Sequence, residues 1–251
     1  MSRDTDRDWA KVAEENPYWA VVSVERFLGK EISETEREVF FRSGEQTVGH
    51  IFAVIGTHFI PNFAPARSLE FGCGVGRLLV PIARRSGEAF GVDVAPNMFE
   101  LSRRYLRAAN IENARLILAD DPVMQGEAVF DFINTLYVLQ HIPTERGYRI
   151  LLDLLRLLKP GGIAALHFAY ARGEKQSRRA AATYVRRDGA TVVREDPFEP
   201  DVPEGTILMF DYDLNHIMVL LAEAGIAPVI VYPDGEHHGH MYVSLYMRKP
   251  Q

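Results

Sequence analysis

The stretch Leu69-Glu70-Phe71-Gly72-Cys73-Gly74-Val75-Gly76-Arg77 decides how the whole sequence is read. An apolar strand runs to residue 71, and glycines at 72, 74 and 76 then turn the chain into a helix. A turn without side chains lets backbone N–H groups approach a ligand and lets the helix N-terminus face a negative group. Dinucleotide-binding turns are spaced G-x-G-x-x-G, whereas here the third glycine falls one place early, as Gly76, and Arg77 takes the dinucleotide position. Glu70 stands two residues before the first glycine. A carboxylate at that strand tip repels a diphosphate and suits a cationic ammonium or sulfonium. Glycine turns also occur as plain strand-to-helix connections, so the neighbouring segments must discriminate.

A second apolar segment, Ala89-Phe90-Gly91-Val92, ends in Asp93, seventeen positions after Gly76. Open nucleotide-binding sheets place a ribose-reading acid about 20 residues on. A carboxylate there can accept both ribose hydroxyls, with Val94 and Met98 offering an apolar face to an adenine ring. Asp93 before Pro96-Asn97-Met98 also has the form of a helix N-cap. Glu70 and Asp93 together favour S-adenosylmethionine, leaving as S-adenosylhomocysteine, over NAD.

With these residues in hand, the chain from about residue 65 onward resembles the class I, Rossmann-like S-adenosylmethionine-dependent methyltransferases. Glu70 with Gly72, Cys73, Gly74 and Arg77 matches the first motif of that family, and Asp93 its ribose acid. Ala119-Asp120-Asp121 corresponds to the adenine-contacting segment after the third strand. Phe130-Asp131-Phe132-Ile133-Asn134 with Leu139-Gln140-His141-Ile142-Pro143 looks like the fourth strand and the loop beside the transferred methyl, and Lys159-Pro160-Gly161-Gly162 like the turn into strand five. The resemblance implies a doubly wound α/β sheet, mostly parallel with an antiparallel last strand. It also implies a cofactor site of Glu70, Gly72, Cys73, Gly74, Arg77, Asp93, Val94, Met98, Asp120, Asp121 and Asn134.

The 251 residues are enough for one sizeable domain with an appendage, and 47% hydrophobic content is that of a globular chain. With 34 acidic against 28 basic residues the net charge is −6, which gives no footprint for a phosphate backbone and argues against nucleic acid. One cysteine, Cys73, cannot form an internal disulfide, and no apolar stretch is long enough to span a bilayer, so a reducing cytoplasm and no membrane are expected. The Asn-Pro-Pro-Tyr motif of base-modifying amino-methyltransferases is absent, since Asn134-Thr135-Leu136-Tyr137 lacks the prolines. A small-molecule acceptor follows by exclusion.

Apolar spacing predicts helices from Asp6 to about His58, an N-terminal cap of residues 1–62 over the cofactor mouth, followed by the cofactor domain, 63–251. Strands are expected at 67–71, 88–93, 114–119, 129–135 and 162–169, with helices at 75–85, 96–109 and 143–158 between them, an alternation that demands a parallel sheet. Pro81 should kink the first of these helices. Ile150, Leu151, Leu154, Leu155 and Leu158 form the apolar stripe of the last. A helix from Leu214 to Gly225 precedes a hairpin of 229–232 and 241–247, joined by a loop that begins at Pro233. Residues 170–211 exceed a simple connection and read as a substrate lid or a homodimer contact, with a hairpin around Asp188-Gly189 and a proline-rich loop at Pro197, Pro200 and Pro203.

Methyl transfer is an in-line displacement that needs alignment first and a base only for some acceptors. His141, after the fourth strand, is a candidate general base or a structural histidine that fixes its loop. Glu236, His237, His238 and His240 cluster near the hairpin tip, where they would bind a metal, bind an acidic substrate with His238 as a second candidate catalyst, or decorate a turn. Metal-dependent catechol methyltransferases carry acids where this chain has Asn134, so no metal is expected. Tyr18 and Tyr137 are read as substrate-pocket aromatics or as core. The rival readings are a protein that binds the cofactor without transferring its methyl, and an NAD-dependent oxidoreductase.

Overall fold

The computed structural model describes residues 5–173, 183–187, 191–195, 207–237 and 239–251. Strands β1 (Arg67–Phe71), β2 (Glu88–Asp93), β3 (Ala114–Leu118), β4 (Phe130–Thr135) and β5 (Leu158–Gly173) lie in the order β3-β2-β1-β4-β5, all parallel. The apolar runs of β1, β2 and β4 are buried on both sides, as a doubly covered parallel sheet requires, whereas β3 at the edge is only partly covered. Strand order reverses between β1 and β4, and it is outside the carboxyl ends at such a point that ligands bind. Register sets Glu70 beside Gly91 on β2 and Asn134 on β4.

Beyond β5 the sheet continues through β9 (His240–Arg248), antiparallel to β5, and β8 (Val229–His237), antiparallel to β9. The hairpin is longer than its alternation predicted. A bulge between Pro233 and Gly235, with Gly235 at φ +82°, lets pairing continue to His237↔His240. Asp234 therefore sits within the strand rather than in a loop. The short strands β6 (Thr183–Arg187) and β7 (Thr191–Glu195) pair as the expected hairpin, and β6 adds to the end of β5 at Arg172 and Gly173. The Asp188-Gly189 turn and the loop through Pro197, Pro200 and Pro203 fall outside the described residues.

Helices α1 (Thr5–Glu15), α2 (Pro17–Val21), α3 (Glu34–His58), α4 (Leu79–Ala83), α5 (Pro96–Ala108), α6 (Thr144–Leu157) and α7 (Leu214–Glu223) cover the faces. On one face Leu151, Leu154 and Leu155 of α6 and Ile217 and Leu221 of α7 pack on Phe130, Leu166 and Phe168. On the other, Val48, Ile51 and Ile55 of α3 join Leu79, Ile82 and Phe99 over Phe132 and Ile163. The helix expected over 75–85 is shorter than predicted. Only Leu79–Ala83 is α-helical, because the glycine turn occupies the residues before it and Pro81 offers no N–H to extend it.

Helix α3 starts at a reciprocal cap in which Ser33 Oγ accepts from Glu36 N at 3.2 Å and Glu36 Oε2 accepts from Ser33 N at 2.8 Å. It crosses the end of the glycine turn at Gly44, where an added Cβ would overlap the Arg77 carbonyl. Gly56, in the last turn of the same helix, has nothing within 4 Å of that position. Gly56→Ala should therefore stabilise the protein by about 0.5–1 kcal/mol through lower backbone entropy. Gly44→Ala should destabilise it by about 1–3 kcal/mol, because overpacking outweighs the same entropy gain. Urea midpoints of the two variants check this, and equal signs would show that α3 does not press on the turn.

Candidate functional site

The glycine turn works by shape more than by donated hydrogen bonds. Gly72, Gly74 and Gly76 have φ of +80°, +50° and +88°, values that side-chain-bearing residues rarely take. Contrary to the expectation of a nest of free N–H groups, those groups point back into the protein. Gly72 N and Cys73 N donate to Val92 O at 2.8 and 2.9 Å, Gly74 N to Asp93 Oδ2 at 2.8 Å, and Gly76 N to Cys73 O at 2.9 Å. What the glycines supply is clearance: a Cβ on Gly72 would collide with Val138, and one on Gly74 would come within 2.6 Å of Val21 Cγ2.

Above the turn lies a cleft with about 70 Å³ of free volume that opens to solvent. Glu70, only 3% exposed, lines it, and its Oε2 has no hydrogen-bond partner. Burial pushes the Glu70 carboxyl well above the usual carboxylate range, the Arg77 guanidinium offsetting part of that and Asp93 adding to it. Such a group calls for a cation against it. Arg77, equally buried, lines the same cleft with an unpartnered Nε while its Nη1 donates to Ser43 Oγ at 3.2 Å. Asp93 accepts from Gly74 N and from Ala95 N at 2.9 Å, one bond on each oxygen. Each oxygen keeps a further lone pair for a hydroxyl. Burial raises the Asp93 pKa, and the Ala95, Gly74 and Val94 N–H groups counter it in part.

The far wall is the loop after β4. His141 Nδ1 lies 3.0 Å from Leu208 O and must donate to it, which leaves Nε2 as the ring's acceptor. Its ring stacks on Trp9 of α1, centroids 4.7 Å apart at 24°. Burial lowers its pKa from 6.5 to about 4, although the Leu208 hydrogen bond works the other way and His240 adds a smaller lowering. The segment that returns from the 170–211 insert holds this loop: Phe210 N donates to Gln140 O at 2.6 Å, and Tyr212 Oη to Leu139 O and Ile142 O at 2.8 and 2.9 Å. Asp6 of α1 and Arg146 of α6, both in the cleft wall, form a two-pronged ion pair at 2.7 and 2.6 Å.

Residues 69–162 match the family model of a methyltransferase domain. A ubiquinone biosynthesis O-methyltransferase of Maricaulis maris is 32% identical over 102 residues, which are 40% of this chain and 39% of that protein. A sterol 4-C-methyltransferase of Caenorhabditis elegans is 30% identical over 96 residues, 38% of this chain and 28% of that protein. The chain thus spans well under half the length of these curated relatives. Among solved structures, magnesium protoporphyrin IX methyltransferase from Synechocystis with bound S-adenosylmethionine superposes with a TM-score of 0.61 at 15% identity, over 99% of each chain. The N-methyltransferase NodS from Bradyrhizobium japonicum with S-adenosylhomocysteine gives 0.56 at 15% identity, over 99% of this chain and 100% of that one. At this identity the likeness is one of fold.

The cleft gathers Glu70, Gly72, Gly74, Arg77, Asp93, Val94, Met98, Tyr137 and His141. Other expected site residues lie elsewhere. The Cys73 side chain packs beneath the turn among core residues, and burial raises its thiol pKa. Asp120 is exposed, and Asp121 caps a short helical turn by accepting from Val123 N at 2.9 Å. Tyr18 is fully buried with its hydroxyl on Tyr105, in the core formed by α1, α2 and α5. Asn134 lines a separate cavity. His240 does not hang over the rim: it is buried, pairs in register with Arg172, and lies 3.8 Å from Asp211. His237 ends β8, and His238 falls outside the described residues. No group of three metal-ligating side chains occurs among the described residues. Trp9, Asp6, Val138 and Arg146 were missed, because nothing local in sequence ties the N-terminal helix to the β4 loop.

The depressed His141 pKa has a sign that stability measurements can read. The unfolded chain takes up a proton on this ring below about 6.5, and the folded protein refuses it until about 4. Stability should fall from pH 6.5 towards 4, and His141→Phe should reduce that fall by about 1–2 kcal/mol at pH 5. Urea unfolding at pH 7 and pH 5 checks it. An unchanged pH dependence in the variant would place the ring in contact with water.

Proposed function

We propose that this chain is an S-adenosylmethionine-dependent methyltransferase that acts on a small-molecule acceptor. The observation that carries the reading is the buried, unpartnered Glu70 Oε2 beside a side-chain-free turn, with Asp93 fastened to the opposite end of that turn. The donor set fits the cofactor's parts. The Glu70 carboxylate suits the ammonium of the methionyl tail, and the Arg77 Nε its carboxylate. The free lone pairs of Asp93 suit the ribose hydroxyls, and Val94, Met98 and Ala119 form an apolar slot for adenine. A diphosphate in the same place would meet two buried carboxylates, which disfavours NAD.

When bound, the cofactor supplies a methyl group already activated on sulfonium, so the chain's own task is alignment and exclusion of water. Trp9 and the Asp6–Arg146 pair roof the cleft, and the Leu136–Tyr137–Val138 loop bounds it on the side of β4. His141 is neutral at working pH, with Nε2 available to accept a hydrogen bond from an O–H or N–H group in the cleft. A ring with a pKa of about 4 is a weak proton sink near neutrality, so its part is to orient that bond. The residues 1–62 cap and the 170–211 insert are read as lid elements of this site, with a homodimer contact as the alternative for the insert. Its lone thiol being buried, the protein suits a reducing cytoplasm.

Calorimetry with S-adenosylhomocysteine should give saturable heat, and NAD none. Glu70→Gln and Asp93→Ala should each weaken binding by about tenfold or more, as expected when one partner of a buried charged hydrogen bond is removed. Labelled methyl should pass from the cofactor into a small-molecule fraction of a cell extract. Heat with NAD, or wild-type affinity in both variants, would overturn the assignment.

A further inference from the structure

A second cavity opens on the other side of Leu136 and Tyr137, the two residues whose side chains line both spaces. It lies between α3, which contributes Thr47, His50 and Ile51, and the ends of β4, β5, β8 and β9. With a volume of about 310 Å³ it has room for a molecule of about ten non-hydrogen atoms. Its floor is polar and unsatisfied: Asn134 Nδ2 and Thr135 Oγ1, both on residues 1% exposed, have no hydrogen-bond partner. Buried polar atoms of this kind cost free energy unless a ligand or water completes them.

Charge enters the wall through Asp234 and the histidines His50 and His167. Asp234 is its one carboxylate, and no lysine or arginine lines it among the described residues. The β8 bulge aims Asp234 inward, where Ser244 Oγ donates to Oδ2 at 2.6 Å and His167 Nε2 lies 3.6 Å from the same oxygen. The rings of Tyr137 and Tyr246 give the wall aromatic faces, which attract a cation as a carboxylate does. Resting on the cofactor reading of the first cleft, we propose that this cavity receives the methyl acceptor and selects an amine-bearing molecule that also carries a hydroxyl or carbonyl oxygen. The ammonium pairs with Asp234, the oxygen accepts from Asn134 Nδ2, and acidic molecules are turned away. Donor and acceptor meet where the two spaces adjoin, beside Leu136 and Tyr137.

The test uses the full chain saturated with S-adenosylhomocysteine and three probes of one shape: tyramine, 4-ethylphenol and 4-hydroxyphenylacetate, which are cationic, neutral and anionic. Calorimetry should show tyramine binding about tenfold or more tighter than 4-hydroxyphenylacetate, with 4-ethylphenol between them. Asp234→Asn should erase that order by weakening tyramine about tenfold, while adenosylhomocysteine affinity is kept. Thr47→Tyr, which blocks the cavity from α3 without touching Asp234, should abolish binding of tyramine and 4-ethylphenol alike. It decides the matter if Asp234→Asn disturbs the fold. Absence of tyramine heat, an anion bound as well as the cation, or tyramine binding unaffected by Thr47→Tyr would overturn the inference. Failure of adenosylhomocysteine itself to bind would instead overturn the cofactor reading on which it rests.

Discussion

The end of β2 holds this site together. Val92 O accepts from Gly72 N and Cys73 N, and the next residue, Asp93, grips Gly74 N with one carboxylate oxygen and Ala95 N with the other. Four backbone donors in two consecutive turns are thus satisfied from one strand tip. Because buried N–H groups are costly when unpaired, the turn cannot move independently of β2. The consequence reaches Glu70 on β1. Its position is fixed by pairing to Gly91 and Asn134 and by a turn that cannot swing out to solvate it. The carboxylate is left dry and unpartnered because its surroundings are rigid, and rigidity of that kind turns a desolvation cost into affinity for a cation.

The opposite wall is assembled from distant parts of the chain. His141 is held between Trp9, from the first helix, and Leu208, from the segment that returns after the insert. Tyr212 fastens the same loop through two carbonyls, and Gly147 on α6 is a glycine because a Cβ there would overlap the Tyr212 ring and hydroxyl. Behind it Arg172 and Asp211 form a buried ion pair, with Arg172 Nη2 also donating to Met209 O at 2.9 Å. Breaking such a pair leaves an uncompensated buried charge. The insert therefore serves the site through its final residues, which shape the loop that faces the cleft.

Much of this was legible in sequence where the signal is local. Five strands and the helices between them follow from apolar period and from glycine and proline breaks, and Glu70, Arg77 and Asp93 meet as their spacing implied. Features that depend on direction or on distant partners were not legible. Glycine at 72 announces positive φ, but not that its N–H would turn back to Val92. Asp121 before Pro122 caps a short helical turn. The placing of the terminal hairpin's histidines was not legible, because the bulge at Asp234 carries the pairing on to His237↔His240, and His240 is buried. The Ser33-x-x-Glu36 box, by contrast, marked the start of α3 in plain view.

Tyr137 brings these constraints to one point. It has φ +60°, a conformation in which a non-glycine residue costs about 1–3 kcal/mol. Glycine would relieve that strain, so the ring must repay it through contacts. It packs edge-on to His167 at 4.7 Å and to Tyr242 at 6.2 Å, while His167 stacks on Tyr242 at 5.1 Å. His167 in turn lies beside Asp234. The strained backbone and the aromatic cluster therefore act together to fix the ring where the two spaces adjoin.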